Sequence, residues 1–400
     1  MKAVVWHGVG DIRLDDVPDP RIEQPTDAVV RLTASAICGT DLHFVHGTGG
    51  EMVPGTVLGH EGVGTVEEVG ADVRNFRPGD RVVIPSTIAC GYCSYCRAGY
   101  YSQCDTANPN GPQAGTAFYG GPKTSGPFQG LQAEKARIPF AATNLVKIPD
   151  SVTDQQAILV SDIFPTGYFG ADIADIKPGH TVAVFGCGPV GQFTIASAKL
   201  LGAGRVFAID RIPSRLDTAR SQGAEVINFD EEDPVEALHR LTGGIGVDCA
   251  IDVVGVDAKH ADHGPAAKQA REEQQQFEEQ VQQVAPQGTA WNAGNAPSQA
   301  LEWAVQGLAK AGTLSIIGVY PQTMQSFPIG MAMNRNLTIR MGNCNHRKYI
   351  PGLLDLIQSG ALDPEKLLSH VEEMHTAVEA YRAFDERQPG WLKVELVPGM

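Results

Sequence analysis

No stretch of the 400 residues approaches the ~20 consecutive apolar positions that a membrane-spanning helix needs. Positive charge is also scarce: 31 Lys and Arg stand against 46 Asp and Glu, a formal net charge of -15 at pH 7. Acid is spread along the whole chain and no basic stripe is present, which argues against nucleic acid or an anionic membrane as partner. The opening run Met1-Lys2-Ala3-Val4-Val5-Trp6 is too short in apolar residues for a signal peptide and reads as a first strand. A cytoplasmic location is therefore expected. Internal repeats are missing as well. What remains is an ordinary globular composition, 42% hydrophobic and 7% aromatic, in a chain long enough for two domains.

The first ~165 residues carry short apolar runs broken by Gly and Pro: Ala28 to Leu32, Gly64 to Val69, Asp80 to Ile84. Such punctuation predicts an antiparallel β domain. A Gly/Pro/Asn-rich loop follows from Ala107 to about Gly130, a length usually reserved for function or flexibility. Beyond Ile176-Lys177-Pro178-Gly179 the pattern changes. A strand at Thr181 to Phe185 runs through a glycine turn into an apolar-periodic helix, Val190 to Leu201, then a second strand at Arg205 to Ile209 and a third apolar run at Val247 to Val254. Strands alternating with helices predict a doubly wound parallel sheet. Residues 256 to 300 interrupt it: Glu272 to Gln283 is almost wholly Glu and Gln, with Phe277, Val281 and Val284 at helical spacing. This predicts one solvated helix with a thin apolar stripe. The sheet is expected to resume at Thr313 to Val319.

Eight cysteines are present, and Cys90, Cys93, Cys96 and Cys104 fall within fifteen positions. In a chain of this size and expected compartment such clustering favours a metal over disulfides. Four thiolates make a closed tetrahedral shell with no position left for substrate, hence a structural zinc; an iron–sulfur cluster has similar ligands and is the alternative. Cys38-Gly39-Thr40-Asp41-Leu42-His43 and Gly59-His60-Glu61 are separate polar clusters. With Asp162, they offer one thiolate, one imidazole and one carboxylate, an open site of three protein ligands plus water. Singly each is an ordinary core residue; their joint occurrence ahead of a dinucleotide motif gives them weight.

That motif is Gly186-Cys187-Gly188-Pro189-Val190-Gly191, a G-x-G-x-x-G between strand and helix. The glycines form the turn, admit the pyrophosphate and pack helix on strand, while the helix N-terminus attracts phosphate. Asp210 ends the second strand nineteen residues after Gly191, where a carboxylate can hold the adenosine ribose and repel a 2′-phosphate. NAD is therefore expected; Arg211 and Arg215 keep NADP open, since guanidinium groups bind phosphate well.

Taken in order, these motifs resemble the zinc-dependent medium-chain alcohol dehydrogenase family over nearly the whole chain. Cys104 to Asn108, the loop after it and Ser161-Asp162-Ile163-Phe164-Pro165-Thr166-Gly167-Tyr168 look most similar to its formaldehyde dehydrogenase and dismutase branch. The resemblance implies an α/β fold: a GroES-like β-rich catalytic domain over 1–167 and 335–400, and a Rossmann domain over 168–334 with an insert at about 257–300. It implies two zincs per chain, with Cys38, His60 and Asp162 holding the catalytic one and Glu61 beside it. Thr40 and His43 look like a proton relay. Thr166 would lie near the nicotinamide, Pro189 and Val190 would belong to the phosphate turn with Arg211 beside Asp210, and Arg340 would reach the cofactor phosphates. The implied activity is hydride transfer between a small primary or secondary alcohol, or aldehyde, and NAD, in a homo-oligomer with a tetramer favoured over a dimer. Formaldehyde, S-(hydroxymethyl)glutathione, sugar alcohols and amino-acid alcohols are rival substrates; a non-catalytic zinc- and nucleotide-binding scaffold is the rival of another class. The Glu/Gln-rich insert and Asn336 to His346 depart from the strict formaldehyde dehydrogenases, which puts that substrate in doubt.

Overall fold

The computed structural model describes residues 1–399. The chain divides into two compact units: Met1–His46, Gly50–Pro165 and Asn343 onward form one, and Gly47–Gly49 with Thr166–Gly342 form the other.

In the first unit a seven-stranded sheet runs in the order Val146–Lys147, Arg81–Ile84, Gly62–Val69, Ala28–Ile37, Val394–Val397, His370–Glu373, with Lys135–Ile138 also pairing with Ala28–Ile37. All pairs are antiparallel except the last two in that order. Inward residues of alternate positions, Val30, Leu32, Val66, Val82, Ile84 and Ile138, make its core, which takes in Cys90, Cys96 and Cys104 at its margin. The loop from Ala107 is held rather than slack. Buried Asn108 donates to Gly115 O and Thr124 O, and Ala117–Phe118 pairs with Thr87–Ile88.

The second unit holds a six-stranded sheet, all parallel, in the order Glu225–Asn228, Arg205–Asp210, Thr181–Phe185, Val247–Asp252, Leu308–Ile316, Thr338–Met341. Successive residues of Thr181–Phe185 serve two separate cores: Ala183 and Phe185 one, Val182 and Val184 the other. Both faces of the sheet are thus covered, which explains why its central strands read as unbroken apolar runs. The first strand sits in the middle, so the order reverses between Thr181–Phe185 and Val247–Asp252. This switch point is where doubly wound sheets bind ligands.

Three details depart from the sequence reading. Residues 335 to 342 do not return to the first unit; Thr338–Met341 pairs with Leu308–Ile316, and the crossing comes at Asn343. The strand that resumes the sheet begins at Leu308 rather than Thr313. The Glu/Gln-rich segment is one helix, Gln274–Val284, preceded by a separate short helix, Ala266–Glu272, and its inward stripe is Phe277, Gln280 and Val284 rather than Phe277, Val281 and Val284. Gln280 displaces Val281 because its amide is satisfied inside, by Ser298 N at 3.2 Å and Ser326 Oγ at 3.2 Å.

Candidate active site and metal centres

The four-cysteine lobe is a preformed cage. No disulfide links its sulfurs, which lie within 4.8 Å of one another. Cys90 Sγ is 4.0 Å from Cys96 Sγ, and Cys93 Sγ is 3.9 Å from Cys104 Sγ. A regular tetrahedron with Zn–S of about 2.3 Å has edges of about 3.8 Å, close to both of these separations, so the four sulfurs suit a zinc. Backbone N–H groups of Cys90, Cys93, Cys96 and Ala107 point at the sulfurs at 3.2 to 3.5 Å and would stabilise thiolates.

The second cluster assembles from three ends of structure. Cys38 follows the strand Ala28–Ile37, His60 and Glu61 precede Gly62–Val69, and Asp162 caps the helix Asp154–Ser161. Ser161 fastens that helix end: its Oγ donates to Ile84 O at 2.5 Å and accepts from Gly62 N at 3.0 Å. Cys38, His60, Glu61 and Asp162 are all buried, with ligand atoms within 4.8 Å of one another. Asp162 Oδ2 is 3.5 Å from Cys38 Sγ and 3.3 Å from His60 Nε2. Tetrahedral zinc with Zn–S about 2.3 Å and Zn–N and Zn–O about 2.05 Å requires edges of about 3.5 and 3.3 Å, so the donor set fits the ion. His60 Nε2 and Glu61 Oε2 are buried atoms with no hydrogen-bond partner, as atoms reserved for a metal would be.

A supporting shell holds each ligand. His60 Nδ1 faces Asp41 Oδ1 at 3.1 Å, a close ion pair that misses hydrogen-bond alignment, and Asp41 Oδ2 accepts from Cys38 N at 2.9 Å. The outer oxygen of Asp162, Oδ1, meets His346 Nε2 at 2.7 Å and Ser86 Oγ at 3.3 Å. Glu61 Oε1 is 2.5 Å from Nζ of Lys393, which also donates to Ile37 O at 3.0 Å; both side chains are fully buried. The rings of Phe118 and His60 lie 4.5 Å apart, so the long loop walls the cluster.

Charge follows this geometry. Burial pushes the Cys38 thiol up, and Asp162 adds to it. Burial opposes charge on His60, but Asp41 and then Cys38 outweigh it and hold the imidazole well above its usual range. Burial likewise opposes the Asp162 carboxylate, yet the hydrogen bond with His346 and the adjacent His60 imidazole hold it well below the usual range. Glu61 is pushed up to about 7 by burial, against the pull of Lys393. A divalent cation reverses the first two directions by favouring thiolate and neutral imidazole.

Thr40 and His43 share the helix Gly39–His46, three residues apart and so on neighbouring positions of one face; His43 is buried and Thr40 half-buried. Sequence reasoning gave no role to Asp41, Ser86, His346 or Lys393. Asp41 lay inside a quoted motif, and its i+3 spacing from Cys38 was the available signal. Long-range placement of the other three left none.

In the second unit the glycine turn sits at the switch point. Gly186 has φ of +94°, and a Cβ there would meet Val254 at 2.7 Å. A Cβ on Gly191 would lie 2.0 Å from Gly186 O, whereas one on Gly188 would meet only Arg215 Nη1, at 3.7 Å. The approach to Gly188 is thus open. The helix Pro189–Leu200 starts with proline and has no side-chain cap, so the N–H groups of Val190 and Gly191 face out for a phosphate. Asp210 Oδ2 accepts from Cys187 N at 2.8 Å, and its Oδ1 accepts from Arg211 N at 2.7 Å and Ile212 N at 2.9 Å, which ties the carboxylate to the turn. Arg211 is turned to Asp230 and Asp262. Arg340 contacts Ile173 O at 3.4 Å and Asp175 at 3.9 Å, which are not residues of the turn. Thr166 is half-buried beside Gly167, where the helix Ile163–Ile173 packs so closely that a Cβ would be 2.7 Å from Thr194 N.

Metal-ligand geometry in one unit and a dinucleotide turn in the other meet the requirements of a zinc-dependent, nicotinamide-linked dehydrogenase. Known proteins agree. The alcohol dehydrogenase GroES-like domain matches residues 24–150, and the zinc-binding dehydrogenase domain matches 189–262. A zinc-type alcohol dehydrogenase-like protein, AdhB of Bacillus subtilis, is 39% identical over all of both chains. The solved structure of alcohol dehydrogenase TADH from Thermus sp. ATN1 is 36% identical, with a TM-score of 0.81 over 100% of each chain. A glutathione-independent formaldehyde dehydrogenase of Pseudomonas aeruginosa is 38% identical over 67% of this chain and 69% of its own. The chain belongs to the zinc-dependent medium-chain alcohol dehydrogenase family, and it is an oxidoreductase that uses zinc and a nicotinamide dinucleotide.

Proposed function

We propose that this chain interconverts a small primary or secondary alcohol and its carbonyl product with NAD, using the Cys38–His60–Asp162 centre. The observation that carries the reading is the buried, metal-spaced donor cluster with two unpartnered atoms inside it. Two zincs per chain are expected, the second held by Cys90, Cys93, Cys96 and Cys104. Zinc bound at the first site supplies Lewis acidity, which lowers the pKa of an alcohol hydroxyl as it lowers that of water to about 7.

The chain's own groups do the rest. Asp41 fixes the His60 ring, and His346 with Ser86 fixes the outer oxygen of Asp162, so both ligands present one atom inward. Lys393 fixes one Glu61 oxygen and leaves the other facing the cluster. Thr40 Oγ1 takes the hydroxyl proton and passes it toward the His43 imidazole, which can both accept and donate a proton. The turn Gly186–Gly191 receives the pyrophosphate, Asp210 the adenosine ribose, and Thr166 lies toward the nicotinamide. NAD over NADP is favoured by the fixed Asp210 carboxylate. A homo-oligomer, with a tetramer expected before a dimer from the family likeness, would have a surface in the edge strand Thr338–Met341, one side of which is unpaired among the described residues, and in exposed Ile329, Met331, Met333 and Met341 near it in sequence. A cytoplasmic location accords with eight free cysteines.

Formaldehyde, free or as its glutathione adduct, is the second reading, favoured by the partial likeness to a formaldehyde dehydrogenase. The test is NAD reduction against a panel of short alcohols and aldehydes, with and without glutathione, together with zinc counting. Two zincs and alcohol-dependent turnover are expected. Cys38→Ser should retain one zinc and NADH binding while losing nearly all turnover; wild-type turnover in that variant refutes the assignment.

A further inference from the structure

We propose that Asp262, on the inserted segment, helps set the dinucleotide preference by occupying the Arg211 guanidinium. Arg211 directly follows Asp210 and, with Arg215, is one of the two arginines that could offer a guanidinium to a phosphate on the adenosine ribose. All three of its nitrogens are engaged. Nε is 2.9 Å from Asp230 Oδ2, Nη2 is 2.6 Å from Asp262 Oδ2, and Nη1 donates to His260 O at 3.2 Å. Its flat face lies 5.7 Å from the Phe229 ring centre, within cation–π range. The orientation is therefore fixed from four sides, and two of them belong to the insert.

The consequence is electrostatic. An arginine between Asp210 and solvent would ordinarily offset that carboxylate and offer a paired N–H face to a phosphate. Here two carboxylates claim the single cation, so Arg211, Asp230 and Asp262 together carry a net charge of -1, before Asp210 is counted. Asp230 Oδ1 is buried and without a hydrogen-bond partner, so the negative charge there is not dissipated by other donors. Asp210 cannot swing aside, because three backbone N–H groups hold it. An incoming 2′-phosphate meets fixed negative charge and a guanidinium already taken. The insert thereby acts as part of cofactor selection.

This inference rests on the reading that Asp210 and Arg211 lie at the adenosine ribose. The experiment uses the zinc-loaded full chain and measures both kcat/KM for NAD and NADP and binding of NADH and NADPH by fluorescence titration. Asp262 is solvent-facing, so its release of Arg211 should be modest: Asp262→Asn is expected to raise the NADPH-to-NADH affinity ratio about fivefold. The same substitution on an Arg211→Ala background should leave the ratio where Arg211→Ala alone puts it. Asp210→Ser is the control for the underlying reading and should shift the ratio toward NADPH by itself. A shift in Asp210→Ser with none in Asp262→Asn overturns the role of Asp262 and leaves the ribose site standing. A persistent Asp262→Asn effect without Arg211 also overturns it. No shift in Asp210→Ser overturns the ribose reading and the inference with it.

Discussion

Lys393→Met asks how strongly the buried Glu61 depends on its counter-ion. The lysine and the glutamate are both fully buried, 2.5 Å apart and 332 residues apart in sequence. Methionine keeps most of the lysine stem's volume, so packing is nearly conserved and the change is mainly electrostatic. It removes one charge-assisted bond to Glu61 and one hydrogen bond to Ile37 O. Breaking a buried pair from one side typically costs 3–5 kcal/mol, because the remaining charge stays desolvated. At roughly 2–4 °C per kcal/mol for a unit of this size, the melting temperature should fall by about 6–20 °C. The assay is thermal unfolding of the zinc-loaded protein at pH 7.5 for Lys393→Met, Glu61→Gln and the double variant. Removing both charges should restore stability, with a coupling of at least about 2 kcal/mol. A Lys393→Met cost under about 1 kcal/mol, or a double variant no better than the sum of the singles, would refute the argument.

Three further outcomes are expected. Cys96→Ser should lose one zinc and aggregate or melt early, since the lobe has little apolar core of its own; a soluble variant with two zincs and normal melting counts against a structural site. Gly188→Ala should fold normally but weaken NADH binding at least about tenfold, because its Cβ enters open space beside the turn, while Gly191→Ala should lower the melting temperature through its 2.0 Å clash with Gly186 O. Equal NADH affinity in Gly188→Ala and wild type would sink that assignment. Glu395 is buried and held up at about 7 from an ordinary 4.5, first by burial and then by Asp154 and Glu365. The folded chain keeps a proton there that the unfolded chain sheds, so stability is greatest below pH 4.5 and falls as pH rises to about 7. Glu395→Gln should therefore gain about 3 kcal/mol at pH 8 and under about 1 kcal/mol at pH 5; an equal gain at both pH values contradicts it.

What could be read from sequence tracks the distance over which each signal acts. The four cysteines and the glycine turn are local, and their spacing alone marks them as a metal cage and a phosphate-binding turn. Thr181–Phe185 and Arg205–Asp210 were legible because both faces are buried, leaving unbroken apolar runs. Thr338–Met341 was misplaced for the converse reason: at the sheet edge its residues are mostly exposed, and no apolar pattern marks it. Glu225–Asn228, an edge strand of four residues, went unseen likewise. His346 lies 184 residues from Asp162, and Ser86 lies 76 from it; no period or spacing rule reaches that far. Gln280 shows a different limit, since a polar residue can hold an inward position when hydrogen bonds await it there.

The division of the first unit around the second has a consequence for synthesis. Thr166–Gly342 leaves the ribosome as one nearly continuous run and contains every strand of its own sheet. It can settle while the first unit still lacks His346, Lys393 and the strand Val394–Val397 that pairs with Ala28–Ile37. At roughly 5–20 residues per second, the interval from Asp162 to Lys393 is about 10–50 seconds. For most of it, Asp162 lacks His346 and Glu61 lacks Lys393, although Asp41 and Ser86 are already present. The metal centre is thus closed by the last part of the chain to be made, and a nascent chain cut short after Gly342 would carry a finished dinucleotide sheet beside an unfinished zinc pocket.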